Sequence, residues 1–315
     1  MKPGLRMRSV VGGHALACRT PPRAELLPSH MERTKTFSIL DYDLSATLSS
    51  GQAFRWRRSG EAWLGVIGAN WVRLRQEGSL VTAETANPVP NWDWLTDYLQ
   101  AHVNLNDVLV TFPGDEPMRA AVAACRGLRL LRQDPWECLA SFILSSTKQI
   151  VQIQQIVALL CERFGEPIAT PPGHPAMFAF PSAERLARVS EADLRACKMG
   201  FRAPYLRATA LAIAGGQFDP AKLSQLPPDR ARAELMELPG VGPKIADCVL
   251  LFAGGFPSAF PVDVWVMKAL RLLYFPRRRV SAARLKRFTG SHFGPHAGYA
   301  QQYLFHYMRT RGSDE

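Results

Sequence analysis

Between Phe37 and about Thr85 apolar residues recur at every second position. Phe54 and Trp56 alternate with polar partners, and Trp63, Gly65 and Ile67 fall on one face of a second run. Ser59-Gly60 and Glu77-Gly78 supply turns. A period of two punctuated by glycine-bearing turns predicts an antiparallel sheet with one wet face. Over 91–125 the period lengthens, and Trp94, Leu95 and Tyr98 stand at helical spacing.

From Asp134 onward the pattern is nearly all helical. Asp134-Pro135-Trp136-Glu137 combines a cap, a proline at the first helical position and a glutamate three after the cap. Leu139, Phe142 and Ile143 then line one face; Ile150, Ile153, Val157, Leu160 and Phe164 form a second stripe that stops at Gly165. Ser190-x-x-Asp193 opens a short helix, and Pro204 to Ile213 forms another that ends at Gly215-Gly216. Further helices are predicted over 229–237, 243–253, 264–273, 281–288 and 296–310. Most of these apolar stripes are core packing. The fold class is therefore α+β: an N-terminal antiparallel sheet region packed on a mainly helical domain.

The 315 residues suit two domains, and 47% apolar content is enough for a sizeable core. No apolar run reaches the ~18 residues a membrane span needs. The formal net charge of +11 favours a polyanionic partner, nucleic acid before an acidic membrane surface. Residues 1–35 carry seven Lys/Arg against two Asp/Glu, with Pro3, Gly4, Gly12, Gly13, Pro21 and Pro22 and no sustained period. They read as a disordered basic arm; a targeting segment and a true start at Met31 are the alternatives. Cys18, Cys125, Cys138, Cys161, Cys197 and Cys248 are scattered with no C-x-x-C pair. That spacing argues against structural zinc, an iron–sulfur cluster and a disulfide framework.

Leu238-Pro-Gly-Val-Gly-Pro-Lys-Ile-Ala-Asp-Cys248 carries the candidate chemistry. A helix ends, a tight turn follows at Gly240 and Gly242, and a second helix begins. The free amides at that helix start suit a phosphate. Lys244 lies in the first turn, where the positive end of the helix dipole favours the uncharged, nucleophilic amine; the alternative is a phosphate-binding lysine. Cys248, four residues on, shares its face. Pro261-Val262-Asp263-Val264 follows a Gly-Gly turn and precedes another apolar helix. Asp263 is placed to cap it, a role worth ~1 kcal/mol. A second oxygen facing a cleft would stabilise a cationic sugar, as glycosidic cleavage requires.

Helix–hairpin–helix, Gly/Pro-rich loop and aspartate, in that order, resemble the glycosylase superfamily of that name. The resemblance to its 8-oxoguanine DNA glycosylase branch is closer. It rests on Ser50-Gly-Gln-Ala-Phe-Arg-Trp-Arg57, Leu131-Arg-Gln-Asp-Pro-Trp-Glu-Cys138, Phe142-Ile-Leu-Ser-Ser146, the two segments above, Gly294-Pro-His-Ala-Gly-Tyr-Ala-Gln301 and Leu304-Phe305. It spans about residues 36–311 and divides the chain into the arm (1–35), a sheet-containing domain (36–125), a helical catalytic domain (126–311) and a tail (312–315). The resemblance implies that Lys244 is a Schiff-base nucleophile. Asp263 would stabilise the sugar cation and assist elimination. Gly51 would offer its carbonyl to the N7 proton that oxidised guanine has and guanine lacks. Cys248 and Phe305 would sandwich the flipped base, and Gln301, on the face of Phe305 by i, i+4 spacing, would read its Watson–Crick edge. Gly240, Gly242, Arg202, Thr147 and Gln149 would meet the DNA. The implied partner is double-stranded DNA containing oxidised guanine, bound by a monomer with no membrane and no cofactor; a monovalent cation at the hairpin carbonyls is allowed. The implied compartment is the cytoplasm or nucleoid of a bacterium, or the nucleus of a eukaryote.

The chain departs from the family's usual pattern at several places. Thr147, Lys148 and Gln149 stand where asparagines are common, Gln152 where eukaryotic members place an arginine against the orphaned cytosine, and Arg202 matches a second such arginine. Trp265 and Met308 replace a coupled histidine and acidic residue. These departures leave the preferred opposite base open. Two other readings compete. A non-catalytic hairpin module explains the charge but not the joint placement of Lys244, Asp263, Gly51 and Phe305. Among glycosylases for other bases, the endonuclease III-like ones usually carry a cysteine cluster and the alkylpurine ones typically lack the hairpin lysine.

Overall fold

The computed structural model describes residues 31–276 and 280–311. Most of the expected arm, with Cys18, and the 312–315 tail lie outside the described residues. Strands β1 (Glu32–Ser38), β2 (Arg57–Ser59), β3 (Ala62–Ile67), β4 (Asn70–Glu77) and β5 (Leu80–Val89) form one antiparallel sheet in the order β1-β5-β4-β3-β2. Residues 32–35, which composition assigns to the arm, are thus an edge strand, held by pairing with β5.

Register explains which face is covered. Leu74 faces Ala83 and Val72 faces Thr85 across β4 and β5, and all four are buried. Trp63 and Gly65 of β3 oppose Leu74 and Val72 and share that face. Gly65 is required there: a Cβ would stand 2.5 Å from the indole of Trp56. Trp56 itself is in no strand. It lies with Phe54 in the connection 51–56, after helix α1 (Leu44–Ser49), which Asp43 caps through Ala46 N–H at 2.8 Å. The alternation of Phe54 and Trp56 therefore has a different cause from the one predicted. Trp56 fills the sheet core, Phe54 enters the helical core against Phe142 (ring centroids 5.5 Å apart), and Arg55 between them pairs with Glu137 at 3.3 Å.

Helices α2 (Asp93–Leu99), α3 (Leu105–Leu109) and α4 (Glu116–Cys125) follow. Leu95 and Leu99 of α2 join the sheet core, whereas Val108, Met118, Ala121 and Cys125 join the helical one. The two cores interleave along the chain, since Ala46 and Phe54 join the helical core and Leu131 the sheet core. The helical part comprises α5 (Pro135–Leu144), α6 (Ile150–Phe164), α7 (Ala183–Ala187), α8 (Glu191–Leu194), α9 (Ala203–Ala214), α10 (Pro228–Met236), α11 (Pro243–Val249), α12 (Val264–Ala269), α13 (Ala282–His292) and α14 (Ala297–Arg311). The predicted caps form: Asp134 accepts Glu137 N–H at 2.8 Å and Ser190 accepts Asp193 N–H at 3.1 Å. The stretches predicted as single helices over 243–253 and 264–273 open into wider turns after Val249 and Ala269. A two-stranded ribbon, β6 (Pro167–Ile168) with β7 (Met177–Phe178), was not predicted. Among the described residues no helix is long and apolar enough to cross a membrane.

Gln52 joins the two parts. It is fully buried; its amide nitrogen lies within 3.0 Å of Thr47 O and Ser50 Oγ and 2.8 Å of Arg129 O, and its Oε1 accepts Leu131 N–H at 2.8 Å. Gln133 in turn donates to Gln52 O at 2.7 Å. Gln52→Leu keeps the volume but leaves a buried N–H and carbonyls unpaired, at roughly 1–3 kcal/mol per group. It is expected to lower unfolding free energy by about 3 kcal/mol in a urea titration; a change under about 0.5 kcal/mol would show that water replaces the amide.

Candidate active site

The hairpin turn between α10 and α11 contains both predicted glycines. Gly240 has φ +81 and lies against Tyr205, whose ring would be 2.7 Å from any Cβ. Gly242 caps α11, and a Cβ there would meet nothing within 4 Å, so the backbone is open to a phosphate. Leu238 O accepts Val241 N–H at 3.1 Å and keeps its second lone pair. Asp247 on α11 pairs with Arg232 on α10 at 2.7 Å, fixing the angle between the two helices. Burial pushes its carboxyl up to about 6 against the pull of Arg232 and Lys286.

One turn into α11, Lys244 turns its Nζ inward. It donates to Ser145 Oγ at 3.0 Å and lies 5.2 Å from the centre of the Phe142 ring. Ser145 sends its own hydrogen to Phe142 O at 2.7 Å, so its oxygen is oriented as an acceptor for the lysine. Asp263 caps α12 by accepting Val266 N–H at 2.8 Å. Desolvation raises its carboxyl above the ordinary value; the Val266 and Trp265 amides and the charges of Lys244 and Arg309 oppose that rise. Cys248 is buried and its thiol is pushed up to about 12 by burial, with Lys244 lowering and Asp263 raising it. Such a thiol stays protonated and behaves as a small apolar side chain.

The residues expected to line a base pocket lie on the connection after α1 and on α14. Gly51 has φ +76, and a Cβ there would lie 2.5 Å from Ile150 Cδ1, 3.4 Å from Phe305 Cε1 and 3.5 Å from Arg309 Nη1. Only glycine fits that conformation and that space. Phe305 is half-buried, and the guanidinium of Arg309 lies 5.4 Å from its ring centre. Gln301, one turn earlier, is 3% exposed and its Oε1 has no protein partner. Among the described residues no group of three or more His, Cys, Asp or Glu could hold a metal ion.

Two comparisons decide the family. Residues 36–139 match the model of the 8-oxoguanine DNA glycosylase N-terminal domain, and 140–290 that of the HhH-GPD superfamily of base excision DNA repair proteins. The N-glycosylase/DNA lyase OGG1 of Arabidopsis thaliana is 32% identical over 91% of this chain and 84% of its own. The chain belongs to the 8-oxoguanine DNA glycosylase family. Another relative is the probable N-glycosylase/DNA lyase of Methanothermobacter thermautotrophicus, 30% identical over 86% of this chain and 95% of its own. The Clostridium acetobutylicum 8-oxoguanine glycosylase/lyase, solved with double-stranded DNA containing cytosine opposite 8-oxoguanine, superposes with a TM-score of 0.82 at 30% identity. That match covers 90% of this chain and 99% of the solved one.

The family's DNA-facing positions behave unevenly here. Thr147 is exposed with φ +55, and Gln149 is exposed at the start of α6, its N–H donating to Gln152 Oε1 at 3.1 Å. Both face solvent, as a DNA-contacting loop must. Arg202 does not. It is 2% exposed and donates to Met199 O (3.1 Å), Thr147 Oγ1 (2.6 Å) and Ser146 O, with Phe201 stacked 4.2 Å away. Here Arg202 pins the 145–149 loop that also carries Ser145. Trp265 packs under Lys268 and Met308 is buried, so the family's coupled pair is replaced by apolar packing. Two residues of the site were not foreseen. Ser145 lies 99 positions from Lys244, beyond any local signal. Arg309 continues the i, i+4 series of Gln301 and Phe305 and was legible by that spacing.

Proposed function

We propose that this glycosylase/lyase flips 8-oxoguanine out of duplex DNA and removes it by attack of the Lys244 amine on C1′. The bond from C1′ to the base breaks and its electron pair leaves with the base, which takes up a proton. The new bond from Nζ to C1′ opens the sugar to an imine. Loss of a C2′ proton from that imine then expels the 3′ phosphate and cuts the strand by β-elimination. Asp263 offsets the positive charge that develops on the sugar.

The observation that carries this reading is an unsatisfied buried acceptor on α14, taken with a lysine and a carboxylate at the starts of α11 and α12. The charge of Lys244 favours the ionised Asp263 carboxylate against the desolvation that raises its titration. A buried glutamine on α14 keeps an unpartnered acceptor, Oε1. Guanine's Watson–Crick edge offers donors for such an oxygen, and the hydrogen bond it now lacks is worth more when formed by substrate than if it were already spent. Phe305 and Cys248 supply the two walls, and the N7 proton of the oxidised base goes to the Gly51 carbonyl. Stacking on an aromatic contributes ~1–3 kcal/mol per base. Phe305→Ala is expected to weaken binding of lesion-bearing duplex by that amount and leave undamaged duplex unaffected. Equal losses for both would make Phe305 a folding residue.

Sodium borohydride tests the covalent step. It should trap the protein on duplex containing 8-oxoguanine and not on undamaged duplex. Binding without trapping or strand cleavage would instead favour a non-catalytic hairpin module.

A further inference from the structure

We propose that Arg309, together with Gln302, is a positioning residue for lesion recognition, setting the Ser49–Gly51 segment and Phe305 against each other so that the Gly51 carbonyl meets the flipped base. The proposal rests on the base-pocket reading above and adds residues that reading does not use.

Three residues that flank Gly51 in the recognition segment, Ser49, Ser50 and Gln52, are fixed from two sides. From α14, Gln302 Nε2 donates to Ser50 O at 2.9 Å and Arg309 Nη1 to Ser49 O at 3.3 Å. From the 129–133 strand of chain, Gln52 and Gln133 fix the residue that follows Gly51. Gly51 is left in its left-handed conformation between these anchors, with Ile150, Phe305 and Arg309 all crowding the position a Cβ would take. Its carbonyl direction is therefore set by neighbours and not by the glycine, which by itself has wide conformational freedom.

Arg309 is suited to this by geometry. One guanidinium both stacks on Phe305 and donates to a main-chain carbonyl, coupling the ring that would stack on the base to the segment that would read it. A lysine keeps the charge but loses the planar fork that does both at once. The charge of Asp263 acts on the guanidinium, and the titration of His306 on the same helix is lowered by burial and by the charge of Arg309, with Asp43 opposing. The Asp263 carboxylate defines the alternative, in which Arg309 acts on the chemistry through Asp263 and not on recognition.

A preformed abasic site separates the two. Its cleavage needs Lys244 and Asp263 but has no base to recognise. Single-turnover rates are measured for Arg309→Met, Arg309→Lys and Gln302→Leu on 8-oxoguanine duplex and on abasic duplex. For Arg309→Met we expect excision to slow by roughly tenfold or more, the loss of about one charge-assisted contact. Cleavage and borohydride trapping on abasic DNA should stay within about twofold. Arg309→Lys should recover only part of the excision rate, and Gln302→Leu should show the same selective loss. Unchanged excision in Arg309→Met, or equal losses on both substrates with full recovery in Arg309→Lys, overturns the proposal. Should Arg309→Met fail to fold, the ratio of the two rates in Arg309→Lys and Gln302→Leu decides. Failure of the underlying base-pocket reading looks different: Phe305→Ala, run alongside, would then lose affinity equally for damaged and undamaged duplex.

Discussion

Lys244→Gln is expected to bind 8-oxoguanine duplex with near-native affinity and to give neither strand cleavage nor a borohydride-trapped complex. The glutamine side chain reaches nearly as far, can still hydrogen-bond Ser145 Oγ, and adds no clash beside Phe142. What it lacks is a nitrogen lone pair able to attack carbon. Loss of a covalent nucleophile removes a whole pathway, so single-turnover excision should fall by roughly 10⁴-fold or more. No second nucleophile is ready in the same pocket: the Cys248 thiol, with its titration pushed up to about 12 by burial, stays protonated. Trapping of Lys244→Gln at the wild-type level would move the nucleophile elsewhere, with Lys148 on the facing 145–149 loop the next to test.

The pieces of this site differ in how far they could be read from sequence. Lys244 and Asp263 sit in short motifs whose meaning is local: a glycine turn before a helix, a cap before another. Asp134 and Ser190 were legible for the same reason, because a cap and the amide it binds lie three residues apart. Phe54 and Trp56 show where periodicity misleads. Alternate burial arises equally from a strand and from a connection threaded between two cores, and here it is the second. Helix α1 was hidden in the same stretch, being only six residues long, too short for its stripe to compete with the flanking alternation. The burial of Arg202 has a tertiary cause. Its sequence neighbours fit a DNA-facing loop, but the partners that bury it, Ser146 and Thr147, come from 55 or more positions earlier.

Asp263→Asn is expected to separate activity from stability. Asparagine caps a helix as well as aspartate does, so Val266 N–H keeps an acceptor. The sign of the electrostatic effect follows from the carboxyl, which desolvation raises above its ordinary value despite Lys244 and Arg309. A carboxyl that titrates higher in the folded than in the unfolded chain binds its proton more tightly when folded. Its contribution to stability is then greatest at low pH and is lost as pH rises from the unfolded value through the folded one. At neutral pH the ionised form opposes folding, and the neutral amide removes that opposition. The thermal midpoint of Asp263→Asn at pH 7 should therefore equal or exceed that of the wild type. Excision should nevertheless fall by roughly 10²–10³-fold, because the sugar cation loses the fixed charge aimed at it. In the wild type the same carboxyl must be ionised to act, so the acid limb of the excision rate should lie above the ordinary carboxylate range and be absent in the asparagine variant. Stability and rate falling together would reduce Asp263 to a helix cap. Retention of rate with the acid limb intact would assign that limb to another group.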